Sequence, residues 1–157
     1  MNQILTDAQS LHDEIITNRR TIHQFAEIGF DLPQTYAYIF NKLTEYGYQP
    51  KKVGKMGITC LAGKPGRTIL LRADMDALPM AEESGESFAA VNGHCHSCGH
   101  DCHSAMLLGA AKLLKQRENE LHGTVKFMFQ PAEEIMGGAK DMLDNGILEN
   151  PKVDMAL

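Results

Sequence analysis

The chain has 157 residues, of which 43% are hydrophobic and 22% charged, the proportions of a globular domain with a substantial core. Its formal net charge is −5, from 15 basic and 20 acidic residues, and no Lys/Arg cluster exceeds a pair, so a nucleic-acid-binding surface is not expected. No apolar run reaches the roughly 18 residues that a membrane span needs. The opening MNQILTDAQSLHDEII lacks the basic region and apolar core of a signal peptide. The cytoplasm is therefore the expected compartment, where cysteines stay reduced and available to metals.

Ile4, Leu5, Ala8, Leu11, Ile15 and Ile16 recur at helical spacing and predict one long amphipathic helix from residue 3 to about residue 26, with a break near its end as the alternative. Pro33 suits the first turn of a second helix, with Ala37, Phe40 and Leu43 as its apolar stripe and Gly47 at its end. GITCLAG reads as a short strand and KPGR as the turn after it. Thr68 to Leu71 form a branched, apolar run of the kind found in buried strands, and its C-terminal end delivers Asp74 and Asp76. Residues 79–102 show no periodicity, and a loop of that length inside a compact domain is usually functional.

A third helix is predicted to open at His103 or Ser104, burying Met106, Leu107, Ala110, Ala111 and Leu114. GTVKFMFQ is a further strand, Gly137 and Gly138 lead into the short helix AKDMLDNG, and PKVDMAL starts another strand. Helices alternating with buried strands define an α/β layered sheet with flanking helices. In such sheets ligands bind beyond the carboxyl ends of the strands. Three polar clusters lie after apolar runs in that way: Asp74 with Asp76, the loop 94–103, and Glu133 with Glu134.

The loop is the densest. Four of the seven histidines and three of the four cysteines fall between residues 94 and 103. Cys95 and Cys98 have the C-x2-C spacing of a structural zinc knuckle, which His100 or Cys102 together with His103 would complete. That reading makes the chain a zinc-stabilised structural or interaction module. Against it, a zinc ribbon takes its ligand pairs from separate knuckles, whereas this cluster is one continuous stretch that runs into a helix.

The other reading joins all three clusters into the site of a metallohydrolase. There the metal generates the nucleophile and a carboxylate takes its proton. Adjacent side chains in extended chain diverge, so one member of the Glu133–Glu134 pair can bind metal while the other faces the water. Asp74 and Asp76 are two apart and share a face, so one can ligate while the other orients a ligand histidine.

LLRADMDALPM, HSCGHDCHSAMLLGAAKLL and FMFQPAEEIMGGAKDML together resemble the signature blocks of the M20 family of metallopeptidases. The nearest branch is that of amidohydrolases acting on N-acyl amino acids, of the aminoacylase, hippurate hydrolase and auxin-conjugate hydrolase types. RRTIHQFAEIGFDLPQT is similar to that branch's opening helix and turn, with Ala26 in place of a usual proline. The resemblance implies a zinc-exopeptidase-like fold in which Cys98, His100 and Glu134 are metal ligands, Glu133 is the general base and Asp76 the orienting aspartate. Cys98 stands where related branches have a bridging aspartate, and Asp74 where the wider family has a ligand histidine. Asp101 and His103 match motif residues near the site.

The resemblance further implies two divalent metals per full-length subunit (Zn, Mn, Ni or Co). The expected substrate is an N-acyl amino acid or short peptide-like amide, and the full-length protein is expected to be a homodimer. Family members are longer. Residues 1–157 are thus expected to form the N-terminal part of the catalytic domain. The lid and dimerisation domain, the remaining ligand histidines and the rest of the catalytic domain would lie outside this chain, leaving the fragment alone inactive.

Overall fold

The computed structural model describes residues 3–157. Five strands form one mixed sheet: β1 (Lys51–Val53), β2 (Gly57–Gly63), β3 (Thr68–Asp74), β4 (Thr124–Gln130) and β5 (Met155–Ala156), in the order β1-β2-β4-β3-β5. β3 runs parallel to β4 and to β5, while β1, β2 and β4 pair antiparallel. The central strand β4 is buried along its whole length, which is why TVKFMFQ reads as a near-continuous apolar run.

Its side chains alternate between two layers, as the period of a strand requires. Val125, Phe127 and Phe129 join the larger core with Ile22, Ile39, Leu43, Leu107 and Leu108. These come from α2 (His12–Phe25), α3 (Pro33–Glu45) and α4 (His100–Gln116). On the opposite face Met128 and Leu70 pack on Met142 of α5 (Gly138–Asp144) and on Ile147. Lys126, also on β4, is buried because its Nζ donates to the carbonyls of Ile147, Glu149 and Pro151 at 2.8–2.9 Å. The result is the layered α/β architecture expected, with helices on both faces. Among the described residues no helix is long and apolar enough to cross a membrane.

The first helix differs from its prediction. It is two helices, α1 (Gln3–Ser10) and α2, separated at Leu11, whose N–H bonds back to Ala8 rather than four residues along the ladder. Apolar spacing continues across this break and so does not reveal it. The buried stripe of α3 is Thr35, Ile39 and Leu43, preceded by Leu32, while Ala37 is exposed. Its N-terminus is held by buried Glu27, whose carboxylate accepts the Gln34 and Thr35 N–H groups at 2.9–3.1 Å, a negative charge placed on a helix N-terminus.

α4 opens at His100, three residues earlier than predicted, and Met106 faces solvent at 58% exposure while Ser104, Ala105, Leu108 and Ala111 face inward. Gly109 lets α4 approach α2 closely: a Cβ there would meet Ile15 Cδ1 at 2.8 Å.

Candidate metal centre

β3 and β4 end side by side, with Asp74 opposite Gln130 in parallel register. The chain leaving β3 stays against β4 for one more residue, since the Met75 N–H bonds to the Gln130 carbonyl at 2.9 Å. This brings Asp76 beneath the turn that follows β4. Its buried carboxylate accepts the N–H of Glu133 on one oxygen and that of Glu134 on the other, both at 3.1 Å. The backbone carbonyl of Asp76 receives Nδ1 of His100 at 2.8 Å. A carbonyl only accepts, so Nδ1 carries the proton and Nε2 is left as a lone-pair donor. Asp76 thus fixes both the tautomer of His100 and the place of the two glutamates.

His100 Nε2 points into a ring of carboxylates, 3.8 Å from Glu133 Oε2, 3.9 Å from Glu134 Oε1 and 4.0 Å from Asp74 Oδ2. Burial opposes the charged form of His100, but its hydrogen bonds to Asp76 and the nearby Asp74 and Asp76 carboxylates outweigh burial and raise its pKa. Glu134 Oε1 is buried without a hydrogen-bond partner among the described residues. The Cys98 thiol lies against the Glu134 carboxylate, and that hydrogen bond, with the surrounding acidic charge, raises its pKa.

A buried, unpartnered carboxylate oxygen beside an imidazole lone pair and a thiol is the donor set of a divalent transition metal. Among the described residues two overlapping groups have donor atoms within 4.8 Å of one another: His100 with Glu133 and Glu134, and Asp74 with His100 and His103. In the second group Asp74 Oδ2 is 3.5 Å from His103 Nδ1, and the Asp74 charge is already countered by Arg72, which also donates to Gln130.

His100, Glu133, Glu134 and Asp76 therefore stand together at the strand ends, with the exposed Cys98 beside Glu134. The glutamate pair sits in a turn rather than in extended chain. Ala132 and Met136 take positive φ values of 54° and 55°, and this turn, not strand alternation, presents both carboxylates to His100. The knuckle reading is not favoured. Cys95 is tied to Leu78 by two backbone hydrogen bonds of 3.0 Å, Cys98 and Cys102 are exposed, and no cysteine belongs to a group of potential ligands among the described residues, though Cys98 alone lies against Glu134.

A second polar cluster lies behind the first turn of α4. The fully buried Asp101 carboxylate meets His23 Nδ1 at 2.7 Å and forms an ion pair with Arg19 Nε at 2.7 Å. The other His23 nitrogen meets Glu82 at 2.9 Å. Burial would raise the Glu82 pKa, but its bonds from Ser84, His23 and the Ala90 N–H bring it down to about 2. His96 packs beside this cluster, its ring 6.0 Å from that of His23, and burial pushes its pKa down to about 4. Sequence reasoning missed His23 and Glu82. The only local signal was a histidine beside Ile22, on the side of α2 that faces the core.

The sequence profile of peptidase family M20/M25/M40 matches residues 70–157, and the chain belongs to that family. It is 38% identical over 146 residues to the N-acyl-L-amino acid amidohydrolase of Geobacillus stearothermophilus, covering 89% of this chain and 39% of that protein. It is 41% identical over 145 residues to the N-acetylcysteine deacetylase of Bacillus subtilis, covering 89% of this chain and 38% of that protein. The fold superposes with a TM-score of 0.88 on the crystal structure of the Bacillus subtilis YXEP protein, described as a dinuclear metal binding peptidase of the M20 family. The two are 40% identical, and the match covers 94% of this chain and 42% of that one. The chain thus spans about two fifths of the length of these relatives.

Proposed function

We propose that this domain, within a protein of its relatives' length, serves the metal-dependent hydrolysis of the amide bond of N-acyl amino acids or short peptide-like amides. The observation that carries this reading is the His100 Nε2 lone pair directed at Glu133 and Glu134, with Glu134 Oε1 buried and unpartnered. Cys98, His100 and Glu134 would hold a divalent cation, and the names of the relatives in the amidohydrolase and deacetylase group agree with the substrate class. Such a cation supplies Lewis acidity and lowers the pKa of a water it binds.

Glu133 is the more exposed of the two glutamates, 44% against 17%, and so faces the side from which substrate arrives. It takes the proton of the attacking water and returns it to the departing amine, while Asp76 holds its backbone in place. The Cys98 thiolate favours zinc among the candidate metals (Zn, Mn, Ni and Co).

The two glutamates separate experimentally. Glu133→Gln is expected to keep the metal and to lose about 10²- to 10⁴-fold in turnover, the usual share of a general base. Glu134→Gln is expected to weaken metal binding as well. Metal analysis and release of free amino acid from acetylated and benzoylated amino acids, measured in a protein of the relatives' length, test the assignment. Equal metal loss in both variants would show the roles to be wrong.

A further inference from the structure

We propose that His23 is a positioning residue for the metal centre, acting through Asp101 on the first turn of α4. The proposal rests on the metal-binding reading above and gives a role to a buried charge cluster that supplies no metal ligand.

The turn that carries His100 is held from two sides. On the sheet side, His100 Nδ1 donates to the Asp76 carbonyl and Ser104 Oγ to the Asp74 carbonyl at 2.7 Å. On the helix side α2 grips Asp101, adjacent to His100 in sequence. One Asp101 oxygen accepts the Cys102 N–H of its own helix at 2.8 Å. The other is taken by His23 and Arg19 of α2. With both oxygens engaged and its side chain fully buried, Asp101 is directed away from the carboxylate ring around His100 Nε2 and serves as an anchor. His23 then passes the restraint on. Its second nitrogen reaches Glu82, which in turn accepts the Ala90 N–H at 2.7 Å and so ties the aperiodic loop to α2.

The same end of α2 receives the later part of that loop. Asn92 Nδ2 donates to the Phe25 carbonyl at 2.7 Å, and the His94 ring bonds to the Ala26 carbonyl at 2.9 Å. Cys98 follows four residues after His94. α2 is therefore the template on which both Cys98 and His100 are aimed, and His23 is where the two carboxylates of the template meet.

Charge and shape both single out histidine here. Two carboxylates on opposite edges of one small side chain need a ring nitrogen on each edge, which an imidazole supplies. Phe88 closes over the ring edge-on at 5.5 Å, and the Arg19 and Arg20 guanidinium groups lie against Phe88 at 4.9 and 4.8 Å. A glutamine at position 23 offers donors on one edge only, so one of the two carboxylates loses its contact with α2's residue 23. Glu82→Gln perturbs the far end of the same chain of contacts without touching α4.

The test uses a protein of the relatives' length loaded with Co²⁺, read by the cobalt d–d bands and the Cys98 thiolate-to-cobalt band, with circular dichroism to confirm folding. The expected result is that His23→Gln shifts the d–d bands and raises the Co²⁺ dissociation constant about tenfold, as loss of outer support of ligands does elsewhere. Glu82→Gln is expected to act in the same direction and decides the matter if His23→Gln does not fold. Leu43→Ala, a core change on α3, is expected to lower thermal stability with the cobalt spectrum unchanged. Spectra and affinities identical to wild type in the folded His23 or Glu82 variants would overturn the proposal. Equal spectral change in Leu43→Ala would overturn it too, by showing general loosening. A wild-type chain that gives no thiolate-to-cobalt band would instead remove the metal reading on which it rests.

Discussion

Replacing Asp76 by Asn tests how far one carboxylate organises the centre. Asp76 accepts two N–H groups, from Glu133 and Glu134, each at 3.1 Å, and its side chain is fully buried. Hydrogen bonds to a charged group contribute about 1.5–3 kcal/mol each. Asparagine keeps one acceptor oxygen for one glutamate N–H and turns an NH2 donor toward the other. One bond is lost and the second loses its charge assistance, so the expected cost is about 2–4 kcal/mol. With an unfolding entropy of about 2.1 cal/mol/K per residue, a chain of 157 residues would melt about 6–12 °C lower. The turn that presents Glu133 and Glu134 to His100 would also be released, lowering Zn²⁺ affinity by about 10- to 100-fold. Differential scanning fluorimetry of the metal-free chain measures the first effect, and competition with a chromophoric chelator the second. A folded variant whose Zn²⁺ affinity stays within about twofold of wild type refutes the reasoning, because outer partners of ligands are ordinarily worth more.

Gly138→Ala would place a Cβ 1.6 Å from the Pro131 carbonyl oxygen, so α5 and the glutamate turn must move apart. A loss of about 1–3 kcal/mol or more is expected in thermal unfolding, with weaker metal binding, and unchanged melting would contradict the packing described. Metal affinity should also depend on pH, because both Cys98 and His100 have raised pKa values and must lose a proton to bind. Below the His100 pKa two protons compete with the metal, and affinity should rise about 100-fold per pH unit. Between the His100 pKa and that of Cys98 one proton competes, and the rise should be about tenfold per unit. Titrations at several pH values that show no change of slope would argue against one of the two ligands.

The strands carrying the site were legible because burial on both faces leaves a branched apolar run, as in Thr68 to Leu71 and in TVKFMFQ. The site residues themselves stood out through their types and their position after those runs. What hid was whatever departs from periodicity. The start of α4 was misplaced because His100, Asp101 and Cys102 are polar, so the first helical turn carries no apolar stripe. The turn at Glu133 and Glu134 depends on positive φ at Ala132 and Met136, which neither residue type announces. The His23 cluster joins positions 78 and 59 residues apart in sequence, to Asp101 and to Glu82, and only the packing of α2 against α4 brings them together.

The parallel pairing of β3 with β4 also sets an order of events. These strands meet only after the whole segment from Asp74 to Thr124 has been laid across the sheet, a closure that is slow because its entropy must be lost before the pairing rewards it. Before that closure Cys95, Cys98 and Cys102 lie on one short unpaired segment, close enough in sequence for their thiols to meet one soft cation together. In the finished fold Cys95 is held at Leu78 and Cys102 lies exposed on α4, leaving Cys98 beside Glu134. Zinc held by those three thiols would favour the unfolded chain, and zinc held by the native centre would favour the fold. The topology thus sets two states of the chain in competition for one cation.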